Sequence, residues 1–165
     1  SPHSAMVLPC HGHYIGATSR PFNDWKSAPG DRKGLHWRIP AQSKRDVRRL
    51  IFDTNFWKSF ASARLAAPIG GRSSLSLFGA DAEDHRMIAD HLTAETPIEV
   101  EAKGRRVIEW KIKPGRPDNH WLDCLVGAHV MASVTGASLE QLRQEIKKKT
   151  RVRLSSLMNR SSRNG

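Results

Sequence analysis

The amino-acid sequence predicts an α/β domain in which helices cover a mixed sheet. Three observations carry the mixed α/β class. Runs such as 35–39 and 47–52 alternate or stay apolar in the manner of short strands. Segments 56–67 and 119–135 repeat apolar residues at helical spacing or are apolar throughout. Lys103-Gly104 separates two β-rich runs and reads as a hairpin turn.

In chain order, Met6-Val-Leu-Pro-Cys10 predicts a short buried strand, and 11–34, rich in Gly, Ser, Asn, Asp and Pro, a long loop. Long loops inside compact domains are often functional. Leu35-His-Trp-Arg-Ile39 alternates like a half-exposed strand, and Val47 to Phe52 is a second strand that passes through Asp53-Thr54 into a helix. Phe56, Phe60, Ala63 and Ala67 mark the buried side of that helix, and Pro68-Ile-Gly-Gly71 ends it. Leu75 to Phe78 reads as a strand, and 83–95 as a helix buried through Met87, Ile88 and Leu92. The hairpin follows, then a core helix from Asn119 to Thr135. A domain at 1–137 thus precedes a basic, partly disordered tail at 138–165.

A chain of 165 residues can build a real core, and its five tryptophans supply large packing surfaces. The net charge of +11 predicts attraction to polyanions, nucleic acid first. No apolar run is long enough for a membrane span. Cys10 and Cys124, the two cysteines, lie far apart in contexts that read as buried, which fits a reducing cytoplasm rather than a disulfide framework. The chain opens Ser-Pro-His-Ser without an initiator Met and reads as a fragment.

Arg116-Pro-Asp-Asn-His-Trp-Leu-Asp-Cys124 is the most informative stretch. Pro117 suits a helix entry and Asp118 an N-cap, its carboxylate accepting N–H groups of the first turn. His120 and Asp123, three apart, share a helix face and could hold a divalent cation. Alternatively Asp118 caps the helix while His120 and Asp123 sit in solvent.

Four ordered blocks resemble a known family: Ile51-Phe-Asp-Thr-Asn-Phe-Trp-Lys58, His91-Leu-Thr-Ala-Glu95, Arg105 to Lys111, and Asp118 to Cys124. Together they resemble the C-terminal nuclease domain of the terminase large subunit of tailed phages, of the lambda gpA type, over about Met6 to Gly136. The resemblance implies an RNase H-like fold that cuts concatemeric viral DNA with Mg²⁺ or Mn²⁺ during packaging. It implies double-stranded DNA, the terminase small subunit and the prohead portal as partners, and the cytoplasm of a bacterial host as the place. Asn119, His120, Asp123 and Cys124 occupy its helix motif. Asp123 thereby takes the role of a metal-ligating carboxylate and His120 stands where the family has an acid, a departure toward softer ions such as Mn²⁺. Asp118 and Asn119 would cap the helix or support the ligands. The family's first two catalytic acids would lie on strands that precede Ser1, so the chain is expected to lack its first strands and to be inactive alone. No phosphate-binding loop of the GxxxxGK[ST] type occurs.

Other residues admit two readings. Asp53 could be a substitute metal ligand but is better explained, with Thr54, as an N-cap. Glu95, placed at a helix end, could support the site or bond a neighbouring loop. Cys10, His11 and His13 invite zinc, yet no second ligand pair answers them. Arg20, Lys26, Arg32 and Lys33 surround Trp25 in the long loop and suit phosphate contacts, as do Lys58 and the run Lys147, Lys148, Lys149 and Arg151. Each could equally be a solvated charge. Trp121 is expected to pack rather than touch DNA. The alternative to a nuclease is a non-catalytic basic module from a truncated prophage gene that binds DNA or the portal.

Overall fold

The structure, a computed structural model, describes residues 8–41, 47–71, 73–79, 81–116 and 118–137. Met6, Val7, Pro117 and the basic run 147–151 lie outside the described residues. The chain divides into a compact unit, Ser1–Thr135, and a second, Gly136–Gly165; the elements below belong to the first.

Four strands form one mixed sheet: β1 (Cys10–His13), β2 (Arg32–Gly34), β3 (Trp37–Ile39) and β4 (Leu50–Asp53), in the order β1-β4-β3-β2. β1 runs parallel to β4, while β3 pairs antiparallel with both β4 and β2. β4 is interior, and all four of its residues are buried. Successive side chains point to opposite faces of a strand. Leu50 and Phe52 accordingly join one core and Ile51 another.

Helices α1 (Thr54–Leu65) and α3 (His120–Val134) contribute to the first core. Trp57 and Ala61 of α1 meet Leu122, Val126 and Val130 of α3, spaced four apart, against Trp37, Ile39, Leu50 and Phe52 of the sheet. Two indoles also satisfy their N–H groups there: Trp37 donates to Ser133 Oγ at 3.0 Å and Trp57 to the His36 carbonyl at 3.2 Å. In the second core Ile15 and Phe22 pack on Ile51 with Trp25 alongside.

A two-stranded hairpin, β5 (Glu95–Ala102) and β6 (Arg105–Ile112), follows α2 (Arg86–Leu92). Its turn is Lys103-Gly104, both at positive φ (51° and 69°), the backbone that a two-residue type I′ hairpin requires. Pro97 stands opposite Trp110. The Trp110 N–H leaves the hairpin to donate to Asn55, so this is a pair whose N–H groups face outward and the missing N–H of proline costs no ladder bond.

Several expectations need correction. Within the described residues the first strand begins at Cys10 and runs to His13, with Leu8 and Pro9 outside it, and it is mostly exposed because it lies at the sheet edge. The long loop contains β2, whose Arg-Lys-Gly sequence carries no apolar signal because all three residues are exposed on the other edge. Residues 75–78 form no strand, and Phe78 is 89% exposed. The helix expected over 83–95 is a 3-10 turn, Glu83–His85, followed by α2; Met87 is exposed and Ile88 and Leu92 only partly covered. α1 buries the Trp57–Ala61 line; Phe56 and Phe60 flank it and Ala63 is exposed. Both cysteines are exposed rather than buried.

Candidate functional site

Asp123 lies in the first turn of α3, one residue past Leu122, which anchors the helix in the core. Its carboxylate is largely exposed, and Oδ1 is 3.3 Å from Nζ of Lys58, one turn into α1. The same ammonium pairs with Oε1 of Glu95, the first residue of β5. Glu95 is buried, and its Oε1 also accepts the Asn119 side-chain amide N–H at 2.6 Å. Packing of α1 against α3, with β5 beginning beside them, thus brings two carboxylates to one cation.

The helix motif is arranged differently from its expected geometry. The N-cap position belongs to Asn119, not Asp118; Asn119 makes no side-chain cap bond, and its Nδ2 donates to Glu95. Asp118 is exposed, with Oδ1 3.8 Å from His120 Nε2. His120 is exposed and turned toward Asp118 and the ring of His91, 6.0 Å away, whereas Asp123 is turned toward Lys58. The His120–Asp123 pair inferred from spacing therefore engages two different sets of partners. Trp121 is 45% exposed rather than packed.

Glu95 is the acid that spacing arguments left undecided. α2 ends at Leu92, so Glu95 opens a strand and no helix dipole opposes it. Its presence in the block His91–Glu95 was the only sequence signal for it. Lys58, grouped by sequence with the DNA-facing cations, is instead committed between Glu95 and Asp123, its side chain only 11% exposed.

Asp53 caps α1: its Oδ1 accepts the Phe56 N–H at 3.2 Å, and Oδ2 lies 3.3 Å from His36 Nδ1. Burial pushes its carboxyl above the usual range, while these bonds pull it back. The His36 ring stacks on Phe56 at 3.8 Å between centroids.

Glu109 has a different task. It accepts the Ala17 N–H at 3.0 Å and the Tyr14 hydroxyl, with Lys111 Nζ at 3.0 Å. The Tyr14 bond, then the Ala17 N–H and Lys111, hold its carboxyl at about 2. These contacts attach the hairpin to the segment entering the long loop.

Arg20, Lys26, Arg32 and Lys33 are all exposed. Lys33 and Arg38 line a cleft of about 290 Å³ with Phe22, Trp25 and Trp37. Asp31 shapes the adjoining loop by accepting the Ala28 and Ala41 N–H groups and pairing with Arg38 at 2.7 Å. The two backbone bonds and Arg38 hold its carboxyl at about 2. Lys147, Lys148, Lys149 and Arg151 lie outside the described residues.

Among the described residues, no group of three or more His, Cys, Asp or Glu converges as a metal site, the Cys10–His13 stretch included. Glu95 and Asp123 nonetheless share one cation position. Magnesium is commonly bound through one or two carboxylates, with water and substrate phosphate completing its shell. Two hard oxygen donors around an ammonium fit that donor set.

The described residues therefore form a mixed α/β domain in which Glu95 of β5 and Asp123 of α3 share one ammonium, with exposed cations along the long loop and the edge strand β2. Residues 23–146 match the family of the terminase large subunit gpA, endonuclease domain. That match spans most of the chain, and the protein belongs to this family. No curated protein and no solved structure matches it significantly. Among the described residues, no helix is long and apolar enough to cross a membrane.

Proposed function

We propose that this domain contributes metal ligands to the Mg²⁺- or Mn²⁺-dependent hydrolysis of phosphodiester bonds in double-stranded DNA, as part of the cutting domain of a terminase that packages phage or prophage DNA. The convergence of Glu95 and Asp123 on one cation position is the observation that carries this reading. Both carboxylates would hold the cation, with Asn119 orienting Glu95. A bound divalent ion can polarise the phosphate and lower the pKa of a coordinated water. His120 and Asp118, exposed at the helix entry, are placed to meet solvent or substrate beside that position.

The fold inferred for this activity is RNase H-like, supported by the mixed sheet with α1 following the interior strand β4. The exposed cations of the long loop suit sequence-independent contacts with the phosphate backbone. Membership of the family supports DNA and packaging partners; we infer the terminase small subunit and the prohead portal among them, and the host cytoplasm as the place of action.

A second reading has its own support. Lys58 already neutralises the acidic pair, and no third ligand joins it among the described residues. A basic module that binds DNA or the portal without cutting would look the same.

Mn²⁺-dependent nicking of supercoiled plasmid by the intact protein, beside its Asp123→Asn variant, separates the readings. Nicking that disappears in the variant supports a metal-dependent nuclease. Equal nicking removes Asp123 from the machinery, and DNA binding without nicking in either favours the binding module.

A further inference from the structure

Lys58 is neither a core residue nor a solvated surface charge: its side chain is largely covered and it pairs with two carboxylates. Its stem leaves α1 where that helix packs beside α3, and its ammonium ends between Glu95 and Asp123. The two contacts are unequal. The Glu95 carboxylate is buried, accepts a hydrogen bond from the ammonium and is reinforced by Asn119. Asp123 is 55% exposed and 3.3 Å from Nζ, whereas a firm charge-assisted N–H···O contact is about 2.8 Å. The ammonium is thus anchored on the protein side and loosely held on the solvent side.

Two cations cannot share one position between the same carboxylate oxygens, because their repulsion at such a separation is large in a partly desolvated site. A divalent ion taking Glu95 and Asp123 must therefore move Lys58. The side chain has four flexible carbons. Its looser contact faces the exposed side, and a displaced ammonium there would meet whatever anion lies over Asp123.

We propose that Lys58 is a displaceable internal counter-ion, which neutralises Glu95 and Asp123 until a divalent cation enters and then moves outward to pair with a nucleic-acid phosphate. This rests on the metal-dependent DNA-cleavage reading and adds a coupling to it. Metal releases a cation for DNA, and DNA stabilises the released cation, so each ligand favours the other by the same factor. It also explains how a lysine with sequence features of a phosphate contact comes to be held between carboxylates.

The test is calorimetric titration of Mn²⁺ into the intact protein and its Lys58→Met variant, without DNA, with folding verified by circular dichroism. Removing the competitor should tighten Mn²⁺ binding by roughly tenfold, within the usual span of coupling between two ligands. Adding Asp123→Asn to the variant should abolish that gain. Equal or weaker Mn²⁺ affinity in folded Lys58→Met overturns the counter-ion role, whatever the plasmid assay shows. Absence of Mn²⁺ binding in both proteins at millimolar ion overturns the counter-ion role and the metal-dependent reading together. Tighter binding without plasmid nicking keeps the counter-ion role and rejects the nuclease.

If Lys58→Met does not fold, Mg²⁺ titration of the unsubstituted protein with ¹⁵N-labelled lysine reads the ammonium directly. The Lys58 Nζ resonance should shift in step with Mg²⁺ binding. A resonance that stays unchanged through saturation overturns the proposal.

Discussion

The Asn55 side chain accepts the Trp110 backbone N–H at 2.9 Å and donates to the Ile15 carbonyl at 3.1 Å. One buried amide in the first turn of α1 thereby joins the hairpin to the segment covering the far face of the sheet. The Trp110 indole adds a bond to Ser59 Oγ one turn on, at 2.9 Å. These bonds fix the hairpin against α1, and Glu95 is the hairpin's first residue.

Asn55→Ala should destabilise the domain by about 3 kcal/mol, because it strands a buried N–H and a buried carbonyl. Urea unfolding at constant m-value checks this. Asn55→Asp should cost at least as much, since a carboxylate cannot donate to Ile15. A loss under about 0.5 kcal/mol for Asn55→Ala would mean that water or a neighbour replaces the amide.

Asp31 and Glu109 set an acid limit. Both carboxyls are held near 2, below their ordinary values of 3.8 and 4.5. A depressed folded pKa means that the unfolded chain binds protons first. The stability from these groups is therefore complete above about pH 4.5 and is lost as pH falls toward 2. Thermal melts from pH 6 to 2 should show this decline, flattened in Asp31→Asn. An equally steep decline in that variant would assign the loss to other carboxylates.

Asp53 has the opposite sign. Its folded carboxyl is raised by burial, so its contribution is greatest when protonated and is lost as pH rises through the folded pKa. Asparagine preserves an acceptor for the Phe56 N–H and is an equally good N-cap. Asp53→Asn should therefore fold with stability at pH 7 equal to or above that of the parent, and its Mn²⁺ affinity should not change. A large drop in Mn²⁺ affinity would restore Asp53 as a ligand.

Lys33 tests the basic loop. If it contacts one phosphate, Lys33→Ala should weaken duplex binding evenly across sequences and reduce the salt slope of log K by about 1. Fluorescence anisotropy at several salt concentrations measures that slope. An unchanged slope would leave Lys33 as a solvated charge of the cleft rim.

The interior strand β4, the cap at Asp53, the Lys103-Gly104 turn and the apolar helix α3 were legible in the sequence, because each is a local pattern. Burial on both faces makes Leu50, Ile51 and Phe52 of β4 apolar in succession, and a type I′ turn favours glycine at its second position. The edge strands β1 and β2 were not legible, since exposed edges need no apolar alternation. The four ordered blocks carried the family, and Asp123 was singled out from the spacing of its helix.

The partner of Asp123 was beyond the reach of spacing. His120 shares its helix and its first turn, yet the tertiary structure turns Asp123 to Lys58 and Glu95, residues 65 and 28 positions earlier. Spacing along a helix limits which side chains share a face; it does not say what other elements bring to that face. Here the packing of α1 on α3, and the attachment of β5 and β6 through Asn55, place one ammonium between two carboxylates. Local chemistry chose the helices and strands, and long-range packing chose which charges meet.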